Sequence, residues 1–109
     1  QNSNMHMCEA MLVAYEVTND IKFFDRAYNL SNQICNKLST DTGGYIWEHY
    51  DQKWNIDWSY NINNKKDLFR PYGFLSGHFF EWTKLLLKIN KIAKIKWLEE
   101  KALFLYNSA

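Results

Sequence analysis

Hydrophobic positions recur with a helical period over two stretches of the chain and lose that period between them. From about residue 4 to 17, Met5, Cys8, Leu12 and Tyr15 form one stripe, and Met7, Ala10, Met11 and Ala14 fill other faces. Asn4 or Ser3 is positioned to cap the start of this helix. A helix apolar nearly all round belongs inside a structure, so this one is read as an inner helix. Thr18-Asn19-Asp20 makes a turn, and Asp20 is a suitable cap for a second helix over about 21–38, with Phe23, Ala27, Leu30 and Ile34 on one stripe. The opposite side of that helix is polar, which makes it an outer one. Thr42-Gly43-Gly44 closes the pair. A third helix over about 78–89 follows Ser76-Gly77 and repeats the all-round apolar character with Phe79, Trp82, Leu85, Leu86 and Ile89. A fourth, over about 95–106, carries Leu98, Ala102 and Leu105 on one stripe, with Glu99, Glu100 and Lys101 facing out.

Between the two pairs, Tyr45 to Tyr50 alternates as a short strand would, and residues 51–77 show no period. A stretch of that length without structure of its own is unusual in a compact domain. Trp54, Trp58, Tyr60, Phe69 and Tyr72 make it too aromatic for a slack linker, and Pro71 and Gly73 punctuate its end. The predicted order is inner helix, outer helix, aromatic-rich loop with short β-strands, inner helix, outer helix. That is an all-α chain of two helical hairpins. Hairpins of this kind bury their faces only by stacking on further copies, so the 109 residues read as one partial domain from the middle of a larger helical toroid.

Both inner helices open with His-x-x-Glu: His6-Met7-Cys8-Glu9 and, 72 residues later, His78-Phe79-Phe80-Glu81. Residues three apart share a helix face, so each motif offers an imidazole and a carboxylate together. Two such helices side by side would gather two His and two Glu around one pocket. His78 follows Gly77, which permits close backbone approach to a ligand. It also sits at a helix start, where the dipole disfavours the imidazolium and so favours a neutral general base. The bland alternative is a core histidine bonded to a carbonyl. Glu9 and Glu81 lie one turn in, among apolar neighbours, either holding a histidine or a ligand hydroxyl or bonded to indole and amide donors.

Arg70, in Arg70-Pro71-Tyr72-Gly73, is either an oxygen clamp or the anchor of a salt bridge to Asp57 or Asp67. His49 reads as structural, and Trp47, Trp54 and Trp58 either stack on a ring or fill the core.

Composition narrows the partner. The chain is 47% hydrophobic, enough for a core, and 13 basic against 12 acidic residues leave a net charge of +1, which gives no case for nucleic acid or an anionic membrane. No apolar run approaches the roughly 20 residues that cross a bilayer. Cys8 and Cys35 have neither metal nor redox spacing and fit reduced thiols in a cytoplasmic protein. A metal site of His6, Glu9, His78 and Glu81 is one alternative, although bundle sites usually run Glu-x-x-His. A repeat scaffold for a protein partner is another.

Asn2-Ser3-Asn4-Met5-His6-Met7-Cys8-Glu9-Ala10, Trp47-Glu48-His49-Tyr50-Asp51, Asp57-Trp58-Ser59-Tyr60-Asn61, Phe69-Arg70-Pro71-Tyr72-Gly73, Gly77-His78 and Glu81-Trp82 stand in this order along the chain. Together they resemble the N-acylglucosamine 2-epimerase superfamily, most closely its aldose–ketose isomerase branch, the mannose isomerases. The resemblance implies an (α/α)6 barrel around a cavity for an unphosphorylated sugar. It also implies acid/base chemistry through a cis-enediol without metal or organic cofactor, and leaves 2-epimerisation, of the N-acylglucosamine or cellobiose type, as the alternative outcome. It makes His78 one of two catalytic histidines, with Glu81 orienting or assisting it, and sets Asn2, His6 and Arg70 with Glu81 around the sugar. The second catalytic histidine and a further sugar-binding arginine belong to hairpins not present in these residues. The segment alone is therefore expected to be inactive. A homodimer is compatible with the resemblance.

Overall fold

The computed structural model describes residues 1–109 as four α-helices in two antiparallel hairpins. Helix α1 spans Asn2–Thr18, α2 Ile21–Ser31, α3 Ser76–Ala93 and α4 Lys96–Ser108. Both hairpin turns use a left-handed residue: Asn19 (φ 54°) and Lys94 (φ 52°) each return their N–H to a carbonyl four residues back, Tyr15 and Asn90. Asp20 caps α2 as the sequence predicts, its Oδ1 accepting the Lys22 amide at 3.1 Å. Helix α1 differs. It starts at Asn2 after Gln1, and neither Ser3 nor Asn4 caps it. Helix α3 begins two residues before His78 and runs four beyond Ile89, ending at the Lys94 turn.

The second predicted helix changes hand-over rather than running straight to residue 38. After Ser31 it widens into a π-helical stretch, Asn32–Lys37, then tightens into a 3-10 turn, Leu38–Thr42. Ser31 and Ser39 return their hydroxyls to the Tyr28 and Cys35 carbonyls at either edge of the widened stretch, at 2.8 and 2.7 Å. Its buried stripe is Phe24, Ala27, Leu30 and Ile34 rather than one through Phe23. Phe24 packs on Tyr15 of α1 at 5.5 Å, and Phe23 lies partly exposed under the Lys22 ammonium.

The hairpins meet along α1 and α3. One core joins all four helices, from Met5, Cys8 and Leu12 through Leu30 and Ile34 to Trp82, Leu86, Leu98 and Leu105. Each inner helix is buried on one side only. Met7 and Val13 on α1 and Phe80 and Leu87 on α3 are about half exposed, because within these residues the other helices cover only one side of each inner helix. Lys101 donates to Ser39 Oγ and the Gly44 carbonyl, both at 3.1 Å, pinning the end of the first hairpin to α4.

The predicted strand at 45–50 does not form. A single antiparallel bridge, Tyr50 to Ile56, is all the β structure present. A ladder needs successive residues paired to one neighbour, but here the Glu48 amide goes to the Gly73 carbonyl (3.0 Å) and the His49 carbonyl takes the Asp57 amide (3.0 Å). The Asp51 carboxylate then ties off the turn through the Lys53 and Asn55 amides. The aromatic loop is ordered by its own side chains: Trp47 is buried, donates Nε1–H to the Asp57 carbonyl, and packs against Trp58, Tyr72 and Phe74. Trp54 and Trp58 stay partly exposed.

Candidate active site

The extended run Ile46-Trp47-Glu48 is wholly buried and carries the Glu48 carboxylate between the starts of α1 and α3, where it is 2% exposed. A buried carboxylate is costly unless its oxygens are bonded. Glu48 Oε1 meets His78 Nδ1 at 2.9 Å and the Gln1 amide nitrogen at 2.9 Å. The other end of the Gln1 amide is fixed as well. Its oxygen accepts from Trp82 Nε1 at 2.9 Å, and an indole N–H can only donate, so the NH2 group must face Glu48 and His78.

Two groups meet His78 Nδ1: the Glu48 carboxylate, which only accepts, at 2.9 Å, and the Gln1 NH2, which only donates, at 3.1 Å. The charged and shorter contact is the stronger, and it favours the tautomer in which Nδ1–H donates to Glu48 and Nε2 of the neutral ring keeps its lone pair. The hydrogen bond to Glu48 raises the His78 pKa above its ordinary value against the opposing effect of burial, and the nearby charge of Glu81 adds to the rise. The helix-start argument, which alone would favour the neutral ring, is overridden by a carboxylate in direct contact. No hydrogen bond joins Glu81 to His78; the carboxylate that holds the ring is Glu48.

His78 lines a hollow of about 220 Å³ with Asn2, Glu48, His49, Phe69 and Pro71 among its walls. His49 is stacked on Tyr60, centroids 3.7 Å apart, and its Nε2 is shielded without a hydrogen-bond partner. Burial lowers its pKa. It forms part of the wall of the hollow. Two other clefts, an apolar groove between α3 and α4 and a larger one of about 330 Å³ between α1 and α3, contain no histidine.

The two His-x-x-Glu motifs do not converge. His6 is largely exposed, its Nδ1 3.8 Å from Glu9, and Glu9 in turn pairs with Lys84 of α3 at 2.9 Å. The apolar surroundings expected for Glu9 are absent, for it is 39% exposed. No three His, Cys, Asp or Glu side chains come together in a group able to hold a metal, so the predicted quartet of His6, Glu9, His78 and Glu81 is not assembled. A Cβ at Gly77 would meet no protein atom within 4 Å, so no contact within these residues requires glycine there.

Arg70 stands on the exposed rim beside Phe69. Asp67 does not pair with its guanidinium: it accepts the backbone amides of Phe69 and Arg70 at 2.9 and 3.0 Å, while Asp57 accepts from Ser59. Arg70 is in none of the ion pairs, which leaves its charge free. The residues that sequence reasoning missed are Glu48 and Gln1.

The family model of N-acylglucosamine 2-epimerase (GlcNAc 2-epimerase) matches residues 1–109. The chain belongs to this family. It is 47% identical over 110 residues to a D-mannose isomerase of Marinomonas mediterranea, covering 100% of this chain and 28% of the relative. A D-mannose isomerase of Thermobifida fusca is 33% identical over 88 residues, covering 81% of this chain and 22% of the relative. A crystal structure of D-mannose isomerase superposes with a TM-score of 0.94 at 46% identity, over 98% of this chain and 28% of that one. The chain thus spans 28% of the length of the first of these relatives, and its two hairpins are a fragment of the same all-α barrel fold.

Proposed function

We propose that these residues supply one of the acid/base histidines of an aldose–ketose isomerase acting on an unphosphorylated sugar of the mannose/fructose type. The observation that carries the reading is the buried Glu48–His78 pair beside a small hollow, in a family member 47% identical to a D-mannose isomerase. With the ring of the sugar open, His78 Nε2 takes the proton from C2, and the electrons move into a cis-enediol. Return of a proton at C1 gives the ketose; return to the opposite face of C2 gives the epimer, the family's alternative outcome.

Arg70, with its charge unpaired, balances the negative oxygen that develops at C1 or C2. Asn2 and His6 supply side chains for sugar hydroxyls, and Glu81, one turn beyond His78, steadies the imidazolium or holds a hydroxyl. The reading needs no metal or organic cofactor. It places the second histidine outside these residues, so the isolated segment is proposed to be inactive. No helix is long and apolar enough to cross a membrane, and the buried, unpaired Cys8 and Cys35 fit a reducing cytoplasm; a homodimer and the absence of nucleic-acid and membrane partners complete the proposal.

The test is NMR of the full-length protein carrying this segment, with D-mannose in D2O and a chelator present. Fructose labelled with deuterium at C1 is the expected product, because the abstracted proton exchanges with solvent. Unchanged mannose would overturn the isomerase reading and turn attention to 2-epimerisation of other sugars.

A further inference from the structure

We infer that Glu48, held in place by Gln1 and Trp82, is the positioning residue that fixes His78 in the tautomer with Nδ1–H and an unprotonated Nε2 facing the hollow. The inference rests on the reading of His78 as the base, and it assigns the orienting role to a residue from the aperiodic loop instead of to Glu81 on the same helix.

Three observations carry it. Glu48 is 2% exposed, so water does not compete for the carboxylate that meets Nδ1 at 2.9 Å. The carboxylate cannot swing away, because its backbone N–H is bonded to Gly73 and its carbonyl accepts from the Gln1 backbone nitrogen, while Oε1 also accepts the Gln1 amide. The amide is locked in turn by the Trp82 indole. Glu81 makes no such contact, and a residue three positions along the helix from His78 shares its face without reaching the ring edge that Glu48 already occupies.

An orienting carboxylate acts in two ways. It selects the nitrogen that reacts, and it stabilises the imidazolium once the ring has taken the sugar's proton. The charged and titratable groups facing His78 are Glu48 from the loop, Glu81 from its own helix and His49 across the hollow. Of these Glu48 has the strongest effect on the ring and raises its affinity for a proton.

The experiment compares wild type, Glu48→Gln, Glu48→Asp and His78→Asn in the full-length protein. One readout is the imidazole 15N shifts of His78, which report tautomer and titration without any turnover; the other is the pH profile of mannose isomerisation. Wild type is expected to show the Nδ1–H tautomer. Glu48→Gln should lower kcat on the order of 100-fold or more with KM nearly unchanged, and should move both the His78 titration and the acid limb of the profile to lower pH. Glu48→Asp should restore part of each. An Nε2–H tautomer in wild type, or a Glu48→Gln titration and acid limb that stay in place, would overturn the inference, and the wild-type tautomer decides alone if Glu48→Gln does not fold. Activity retained by His78→Asn would instead overturn the base assignment, while the 15N result still judges Glu48.

Discussion

The same four-residue pattern opens α1 and α3 and ends in two different chemical states. On α3, His78 is mostly enclosed and gripped by a carboxylate that has itself been taken out of water; on α1, His6 stands in solvent 3.8 Å from a Glu9 whose stronger partner is Lys84. The helix supplies each imidazole with an i+3 glutamate, and in neither case is that glutamate what decides its state. A third element does so: the buried run Ile46-Trp47-Glu48 lies between the starts of both helices, and its carboxylate bonds His78 and not His6. A motif on a helix therefore offers candidates, and the neighbouring loop selects between them.

Breaking each half of the pair in the full-length protein should give effects of very different size. His78→Asn is expected to cut turnover by at least about 100-fold, the least that one acid/base group contributes, with the thermal unfolding transition retained. More than about a tenth of wild-type kcat would show that the ring on α3 is not the base. His6→Asn should act on binding instead, raising KM by up to about tenfold, the scale of one hydrogen bond, while kcat changes little. A large loss of kcat on His6→Asn would put both motifs in the chemistry and erase the contrast.

The contrast also sharpens with pH. The His78 pKa lies above its ordinary value of 6.5, so the Glu48–His78 pair contributes its full stabilisation below about pH 6.5 and loses it as the pH rises through the folded value. Urea midpoints should fall between about pH 6 and about pH 8.5 in wild type, and the part of that fall missing from His78→Asn measures the pair. The smallest effect belongs to the exposed motif. Lys84→Met removes the partner of Glu9, and because both groups are about half exposed it should cost no more than about 1 kcal/mol in urea denaturation.

Much of this was legible in one dimension. The two hairpins, the Asp20 cap, the order of inner and outer helices and the candidacy of His78 all follow from spacing, since period and capping are local consequences of helix geometry. Arg70, too, is marked by its stiff turn, although only the structure shows that Asp67 turns Oδ1 to the Phe69 and Arg70 amides and forms no ion pair with the guanidinium. Glu48 was within sight but not read. Its only signal is a glutamate set among aromatic residues in Trp47-Glu48-His49-Tyr50-Asp51, and an aperiodic segment has no face to which a pattern could assign it.

Local spacing set where the helices begin to within two residues and, except for α2, where they end to within four, as well as which faces are apolar and that two His-x-x-Glu units sit at corresponding places. Only the tertiary structure decided which carboxylate each imidazole meets, that the strand at 45–50 reduces to a single bridge, and that the two motifs stay apart. The physical reason is range. Helix period and caps are fixed by residues within about one turn of each other, whereas the contact between Glu48 and His78 joins groups 30 residues apart, with Gln1, 77 residues from His78, meeting both.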